Sequence, residues 1–296
     1  MSGERTDAQL VEALRDRDRV TQDLIDDYYR RCIPLYLELL GLHWHTGFYR
    51  DDDNEVCPAD QERMITVIAD SVALDSRDRV LDVGCGVGGT TCFLARNYGC
   101  EVRGLTPVAE QRDLASQVAR RFDVESKVGI DVGHADALPY PDDHFDVLLF
   151  FESPCHFPDR QRFFEEAFRV LKPGGRLAGE DWLATDGSNS AVDALLDRLC
   201  RSWFVPSLGS GADYRRQMLD AGFSACRFID TRSEMPLRKG FSVTEEQQQA
   251  LRDEIRNCMR PLLALTLEGL LHLGEALDAG VFTVGRFTAR KRAAVG

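Results

Sequence analysis

The stretch Leu81-Asp82-Val83-Gly84-Cys85-Gly86-Val87-Gly88-Gly89-Thr90-Thr91 decides how this chain folds. It joins the end of a short apolar run, which predicts a buried strand, to a segment that predicts a helix from Thr90 to Asn97. Glycines at such a junction permit a tight turn and let backbone amides approach a ligand at the amino terminus of the helix. The stretch therefore predicts an α/β fold with a ligand-binding loop after its first strand.

Short apolar runs separated by helical stretches continue this pattern along the chain. Buried strands are expected at 79–83, 101–105, 145–151 and 176–180, with last strands at 223–231 and 281–289. The alternation is typical of a Rossmann-like, doubly wound and mostly parallel sheet. Helical insertions at about 187–221 and 234–280 are expected to form a lid over the carboxyl edge of the sheet, where ligands bind.

The amino-acid composition and net charge argue against several classes of function. Hydrophobic residues make up 44% and charged residues 29% of the 296 residues, which is a globular composition. The net charge of −13 argues against nucleic acid as a partner, and no stretch approaches the roughly 20 apolar residues of a membrane span. The nine cysteines form no CxxC pair, and the start lacks the apolar core of a signal peptide. A cytoplasmic protein with reduced thiols is predicted.

The amino-terminal segment is highly charged, and its spacing of apolar residues favours helix. We expect an extra helix over residues 1–27, ahead of one domain over 28–296. Because the apolar stripe over 7–24 is thin, we expect it to pack on a neighbouring subunit and so to form a homo-oligomer. The aromatic and histidine run at 28–49 that follows is either a core edge or a wall of the substrate site.

The glycine loop allows two interpretations until its neighbours are considered. The G-x-G-x-x-G pattern from Gly84 also matches the dinucleotide fingerprint, which is weak alone. Asp82, however, can organise the loop and meet a cationic amino-acid moiety. The second strand ends Gly104-Leu105-Thr106-Pro107, without the carboxylate that an NAD site uses for the ribose. Residues 168–176 then give a helix, a glycine turn and the next strand.

These residues together resemble class I S-adenosylmethionine-dependent methyltransferases, over about residues 60 to 185. The resemblance implies S-adenosylmethionine as the cofactor, with the Thr106 region at its ribose. It implies that the methionine end of the cofactor lies against Asp82, Gly84, Gly86 and Gly88.

The chain departs from this family at two places. Leu105 and Thr106 stand where many members carry an acid, so contact with the ribose is expected through a hydroxyl and the backbone. His134 occupies the usual acidic position beside the adenine, and either His134, through its side chain or backbone, or Asp136 serves there. The resemblance also implies cofactor contacts at Gln111, Ala135 and Glu152.

The methyl acceptor is indicated by the run Phe150-Phe151-Glu152-Ser153-Pro154-Cys155-His156-Phe157-Pro158-Asp159, which ends the fourth predicted strand. Glu152 follows an apolar run and is expected to face the crevice where ligands bind. Alternatively, its carboxylate caps the next helix, pairs with an arginine or contacts only the methionine part of the cofactor.

The run from Glu152 to Asp159, with Gly179 to Asp186, resembles the C-methyltransferases that act on sterol side chains, and related prenyl diphosphate methyltransferases share the Glu152 position. Those enzymes methylate an alkene carbon, which leaves a carbocation. A carboxylate and aromatic faces stabilise such a cation, and a base removes its proton. The catalytic candidates are Glu152, His156, Tyr28 and Trp44, and further aromatic side chains of this kind are Tyr29, Tyr49, Trp182 and Trp203.

The sequence thus predicts C-methylation of an isoprenoid or prenylated natural product, such as a terpenoid-indole alkaloid of the teleocidin type, with the cation quenched by proton loss or ring closure. A free prenyl diphosphate fits less, because the loops show no clustered arginines and lysines. The alternative is O- or N-methylation of a small metabolite with His43, His45 or His156 as base. No metal is expected, since the two histidines with Asp51 to Asp53 are a weak ligand set. A cofactor-binding protein without turnover is a third class.

Overall fold

The computed structural model describes residues 5–15, 20–51, 57–185, 190–206, 208–241 and 244–293. Its strands are β1 (Arg79–Val83), β2 (Glu101–Thr106), β3 (Val128–Val132), β4 (Phe145–Phe151), β5 (Leu171–Ala184), β6 (Ser224–Asp230) and β7 (Phe282–Arg290). Within the described residues they form one sheet in the order β3-β2-β1-β4-β5-β7-β6. β1 to β5 pair in parallel, whereas β7 is antiparallel to β5 and β6. The predicted α/β, mostly parallel sheet is confirmed.

Helices cover both faces of this sheet. They are α1 (Asp7–Arg15), α2 (Gln22–Leu40), α3 (Pro58–Ser71), α4 (Gly89–Tyr98), α5 (Ala109–Arg121), α6 (Arg160–Val170), α7 (Ser190–Trp203), α8 (Gly211–Asp220), α9 (Arg238–Phe241), α10 (Glu245–Asn257) and α11 (Pro261–Asp278). Because successive strand residues point to opposite faces, Val80 belongs to the core cluster that includes Ile65 of α3, while Leu81 belongs to the cluster of Phe164 in α6. Two-sided burial explains why β1 and β4 are continuous apolar runs.

The strand predictions were incomplete at one edge of the sheet. β3 was not predicted, because Val128–Val132 is only partly buried and contains Gly129 and Asp131. Among the described strands β3 pairs with β2 alone, so it lies at the edge of the sheet. An edge strand is less covered than a central one and need not be apolar on both faces. β5 is also longer than expected, from Leu171 to Ala184.

The amino-terminal segment forms two helices, and the structure contradicts the reason for expecting residues 7–24 to pack on another subunit, which was that their own domain could not cover them. Leu10 and Leu14 of α1 are fully buried in a cluster of the same chain that includes Leu265 of α11. The thin stripe suffices because three helices, α2, α7 and α11, pack against α1. A homo-oligomer therefore stays a prediction, without support from the packing of α1. The boundary expected at residue 27, between an extra helix and the main domain, falls inside α2.

The two segments expected as a lid contain α7 and α8, and α9 to α11. α7 and α11 pack on each other at the carboxyl edge of the sheet, whereas α8 packs on α6 and β6, away from that edge. Residues 186–189, 207 and 242–243 of these segments lie outside the described residues. None of the helices that the structure describes has the length and apolarity needed to cross a membrane.

Candidate active site

A cavity of about 640 Å³ lies at the carboxyl ends of β1, β2 and β4. Its floor is the glycine loop after β1. Its walls come from α2 and the loop at residues 41–49, from the ends of β4 and β5, and from α7 and α11. The sequence prediction of a ligand crevice at this edge of the sheet agrees with this position.

The glycine loop adopts a backbone that only glycine tolerates well. The values of φ are 82° at Gly84, 51° at Gly86 and 82° at Gly88, all in the left-handed region. A Cβ atom on Gly84 would lie 2.4 Å from Cβ of Ser153, and one on Gly88 would lie 2.6 Å from Cβ of Ala115. Gly84 and Gly86 line the cavity, and Gly88 instead packs the loop against α5.

Asp82 lies beneath this loop with its carboxylate buried. Its Oδ2 accepts a hydrogen bond of 2.6 Å from Oγ1 of Thr91. Burial raises the pKa of Asp82 to about 6, because the charged form has lost water. An ammonium group bound beside it would favour the ionised form, so Asp82 suits an amino-acid moiety.

A hydroxyl at the end of β2 and an amide from α5 meet at the wall of the cavity. Thr106 Oγ1 donates a 2.5 Å hydrogen bond to Oε1 of Gln111, and both side chains are buried and line the cavity. Because this bond uses the carbonyl oxygen of Gln111, its amide nitrogen is the donor left for a ligand hydroxyl.

The residues expected beside the adenine do not line the cavity. His134 is half-exposed, and its Nε2 lies 3.8 Å from Oδ2 of Asp26 on α2. Ala135 is buried in the core with Leu138. Positions 134 and 135 belong to the loop after β3, whose side chains here point to α2 and to the core. The structure therefore gives no support for a cofactor contact by the His134 side chain.

Tyr28 also lies away from the cavity, so its position contradicts the predicted catalytic role. Its ring is fully buried with Leu10, and its hydroxyl is 2.6 Å from that of Tyr36. Tyr29, the next residue, lines the cavity instead, since adjacent residues of a helix point in different directions. Trp44, the other predicted aromatic candidate, does line the cavity.

Glu152 directly follows β4 on the cavity wall. Its φ of 46° lies in the left-handed region, an unfavourable backbone for a residue with a Cβ. Its Oε1 accepts hydrogen bonds from Oγ1 of Thr46 and, at 2.9 Å, from the Thr46 backbone nitrogen. Burial raises the pKa of Glu152 to about 7 despite these bonds. Asp159 caps α6, so Glu152 is not the cap of the next helix.

Two further acids, which the sequence analysis did not single out, lie behind Glu152 on β5. Glu180 is fully buried, and within the described part of the chain neither carboxylate oxygen has a hydrogen-bond partner. Burial and then the charge of Glu152 raise the pKa of Glu180 well above its usual range. Asp181 accepts a 2.7 Å bond from the hydroxyl of Tyr214, and burial raises its pKa to about 6. The sequence signal that could have identified them is a pair of adjacent acids within an apolar strand, because buried acids are costly unless they have a function or a partner.

The three candidate histidines also line the cavity, and burial lowers the pKa of each. The values are about 4 for His43, about 3 for His45 and about 4 for His156, so all three are neutral at pH 7. His45 Nδ1 is 3.0 Å from the Thr46 carbonyl oxygen. His156 Nε2 is 2.8 Å from the hydroxyl of Tyr29.

The remaining wall is aromatic and carries only negative charge. All three tryptophans of the chain line the cavity, as do several tyrosines and phenylalanines: Trp44, Trp182, Trp203, Tyr29, Tyr36, Tyr49, Phe151 and Phe157. Its charged residues are Asp26, Glu38, Asp82 and Glu152. Among the described lining residues there is no lysine or arginine. This wall favours a cation over an anion.

The candidate metal ligands in the sequence are His43, His45 and Asp51 to Asp53. Asp52 and Asp53 lie outside the described residues. In the described ranges, no three histidine, cysteine or acidic side chains are grouped as a metal site would require.

Comparison with known proteins identifies the family. A methyltransferase domain model matches residues 81–179. The 27-O-demethylrifamycin SV methyltransferase of Amycolatopsis mediterranei (strain S699) is 36% identical over 209 residues, covering 68% of this chain and 74% of that protein. The glycine/sarcosine/dimethylglycine N-methyltransferase of Actinopolyspora halophila is 33% identical over 240 residues, or 79% of this chain, but the match spans only 40% of that protein.

A solved structure shares the fold. Geranyl diphosphate C-methyltransferase from Streptomyces coelicolor A3(2) superimposes with a TM-score of 0.70 at 20% identity, over 91% of this chain and 97% of that one. The chain belongs to the class I S-adenosylmethionine-dependent methyltransferases and is an enzyme with that cofactor. The floor of the cavity fits this group, because its glycine backbone leaves room for close approach and the Asp82 carboxylate suits an ammonium.

Proposed function

We propose that this enzyme methylates an alkene carbon of a neutral isoprenoid or prenylated natural product. One observation carries the proposal. The Glu152 carboxyl lies on the wall of an aromatic cavity whose described lining residues include no lysine or arginine. S-adenosylmethionine supplies an electrophilic methyl group when bound. An alkene that attacks it needs no base beforehand, but it becomes a carbocation that the wall must stabilise.

Glu152 is the group that meets this positive charge. Thr46 holds its carboxylate through two hydrogen bonds, so little reorganisation is needed when the charge develops. The faces of Trp44, Trp182 and Tyr29 supply further cation–π stabilisation. A cation beside Glu152 also favours its ionised form, which offsets the effect of burial on its pKa. The same carboxylate then accepts the proton that the cation loses.

The charge of the cavity selects among acceptors. A prenyl diphosphate or an amino-acid carboxylate would bring an anion next to Asp26, Glu38 and Glu152 without a basic side chain among the described lining residues. A neutral or cationic acceptor meets no such cost. This supports a prenylated alkaloid over a free diphosphate.

The cofactor assignment is part of the same proposal. Asp82, Gly84 and Gly86 hold the methionine end, and Thr106 with Gln111 holds the ribose. Glu152 lies between the bound cofactor and the acceptor, and its carboxylate acts on the acceptor.

A second candidate is O- or N-methylation with His156 as the base. It is favoured by the contact of His156 with Tyr29 on the cavity wall and by relatives that are O- and N-methyltransferases by name. Its low pKa makes His156 a weak base at pH 7, and Tyr29 already occupies its Nε2.

Product analysis separates the two candidates. The enzyme is incubated with S-adenosylmethionine carrying an isotope-labelled methyl group, and with farnesol or its fully saturated analogue. C-methylation predicts label on carbon of farnesol and none on the saturated alcohol, with loss of product in Glu152→Gln. Label on oxygen of both alcohols, lost in His156→Ala, would establish the second candidate. An extract of the source cells replaces the alcohols when neither accepts label.

A further inference from the structure

The mouth of the cavity carries exposed apolar side chains that the proposed reaction leaves unexplained. Leu39 and Leu40 at the end of α2 are 46% and 37% exposed, and Leu270 of α11 is 39% exposed. All three line the cavity, although more than 200 residues of sequence separate α2 from α11. We call them the apolar rim. Scattered exposed leucines are ordinary, but these three all line one cavity, and exposed apolar side chains gathered at a cavity are of the kind that marks a binding surface.

Helix periodicity explains how the rim forms. The buried stripe of α2 includes Leu35 and Tyr36, and Leu39 follows them by four and three residues on the same face. Leu39 is uncovered because the stripe continues past the core and reaches the mouth of the cavity. On α11, Leu270 follows buried Thr266 by four residues and precedes buried Leu273 by three. Both helices thus extend their core-facing stripes to the opening.

We infer that the acceptor carries a long apolar tail whose far end lies on the apolar rim while its reacting alkene lies beside Glu152. This rests on the proposed function and names the acceptor class further, as an isoprenoid too long for the cavity alone. The rim is continuous with the cavity lining, so one extended molecule contacts both. Covering Leu39, Leu40 and Leu270 removes apolar surface from water, and longer isoprenoids bind more tightly as a result.

The test uses the protein's own tryptophans. Because Trp44, Trp182 and Trp203 all line the cavity, intrinsic fluorescence reports its occupancy. The full-length protein, with S-adenosylhomocysteine present, is titrated with geraniol, farnesol and geranylgeraniol. We expect affinity to tighten by at least about tenfold from the shortest to the longest alcohol, in line with the apolar area added.

Matched variants locate the effect. The double variant Leu39→Asn/Leu270→Asn keeps side-chain size, and it should retain the affinity for geraniol but lose the gain with length. Leu219→Asn, at an equally exposed leucine of α8 outside the cavity lining, should behave as the wild type. An unchanged gain with length in the double variant, or equal affinity of the wild type for all three alcohols, overturns the inference.

Two further outcomes separate competing explanations. Phosphatidylcholine vesicles that bind the wild type but not the double variant, without any dependence on alcohol length, would overturn the inference in favour of a membrane contact. If the affinity depends on alcohol length but the labelled methyl group is found on oxygen or nitrogen, the inference that the apolar rim binds the tail is kept and the proposal of C-methylation is rejected. Failure of all three alcohols to bind overturns both the rim and the isoprenoid class.

Discussion

The two halves of the cavity are built in different ways. The half that we propose holds the cofactor, called here the cofactor half, lies within residues 82–111, where one strand–loop–helix unit and the end of β2 follow each other in sequence. The half that we propose holds the acceptor, called here the acceptor half, is assembled from α2, the ends of β4 and β5, α7 and α11, which are far apart in sequence. The first depends on backbone shape at glycines, and the second on side chains such as Glu152. Substitutions should therefore act on binding in the first half and on turnover in the second.

Of the substitutions proposed here, Glu152→Gln should have the largest effect on activity. The effect should be on the acceptor half alone. The substitution keeps the shape and removes the charge, so turnover should fall by about 10²- to 10³-fold, as for loss of one preorganised electrostatic contact. Affinity for S-adenosylmethionine should change by less than about threefold, because the contact counts mainly in the transition state. Steady-state kinetics and calorimetry measure the two. Collapse of both quantities would place Glu152 in the cofactor half.

The same substitution should stabilise the cofactor-free protein as pH rises. Glu152 has a folded-state pKa of about 7, above its ordinary value of 4.5, so its contribution to stability is present below about pH 4.5 and lost as pH rises to about 7. Glutamine stays neutral throughout. Relative to the wild type, Glu152→Gln should therefore gain about 3 kcal/mol in free energy of unfolding between those pH values. The titrations of the three histidines cancel in this difference. Denaturant unfolding at several pH values checks it, and parallel curves would contradict the raised pKa.

Gly84→Ala tests the cofactor half. A methyl group there meets Ser153, and the left-handed backbone at this position is unfavourable for alanine, so affinity for S-adenosylmethionine should fall by about tenfold. Gly174→Ala is the matched control, because Gly174 has φ of 83° but open space around its Cβ position. Calorimetry should find weaker binding in the first variant only, with a lower Tm in both. Equal affinities would show that the loop does not hold the cofactor.

His134→Ala should have the smallest effect. Since His134 lies outside the cavity lining, the affinity for S-adenosylmethionine should change by less than about threefold. Gln111→Ala, which removes a buried cavity amide, should weaken binding by about fivefold to tenfold. A larger loss in His134→Ala than in Gln111→Ala would restore the adenine contact expected from the sequence.

The difference between the halves also explains what the sequence could predict. The strand ends and the loop at Gly84 follow from local apolar runs and from glycine spacing, which the sequence shows directly. The edge strand β3 was missed because partial burial leaves no apolar run. The sequence does not show that Tyr29, and not Tyr28, faces the cavity. Which of the two does so depends on the rotation of α2 about its axis, and that rotation is set by packing with α11 and with the cluster around Leu10.

The acids of the acceptor half show a second limit. Glu152 was identified by its place after an apolar strand. Glu180 and Asp181 were not, since their proximity to Glu152 depends on the pairing of β4 with β5, where Phe151 aligns with Glu180. Parallel pairing brings together residues that are almost thirty positions apart, and a single sequence does not reveal which strands are neighbours.

The order of strands at the far end of the sheet has a consequence for exchanging parts of the enzyme. β6 and β7 are antiparallel neighbours, with Asp230 opposite Gly285, yet residues 231–281 between them carry α9 to α11 and the lining residues Gly240, Leu270 and Leu273. Thr231 Oγ1 donates to the Val284 carbonyl oxygen across the base of this stretch. The stretch is thus a long insertion into a β-hairpin whose two ends are fixed side by side. Since closure of a loop costs little more as it lengthens, this stretch could be exchanged for one of another length, which would change the side of the cavity formed by α9 and α11 and leave the sheet and the glycine loop unchanged.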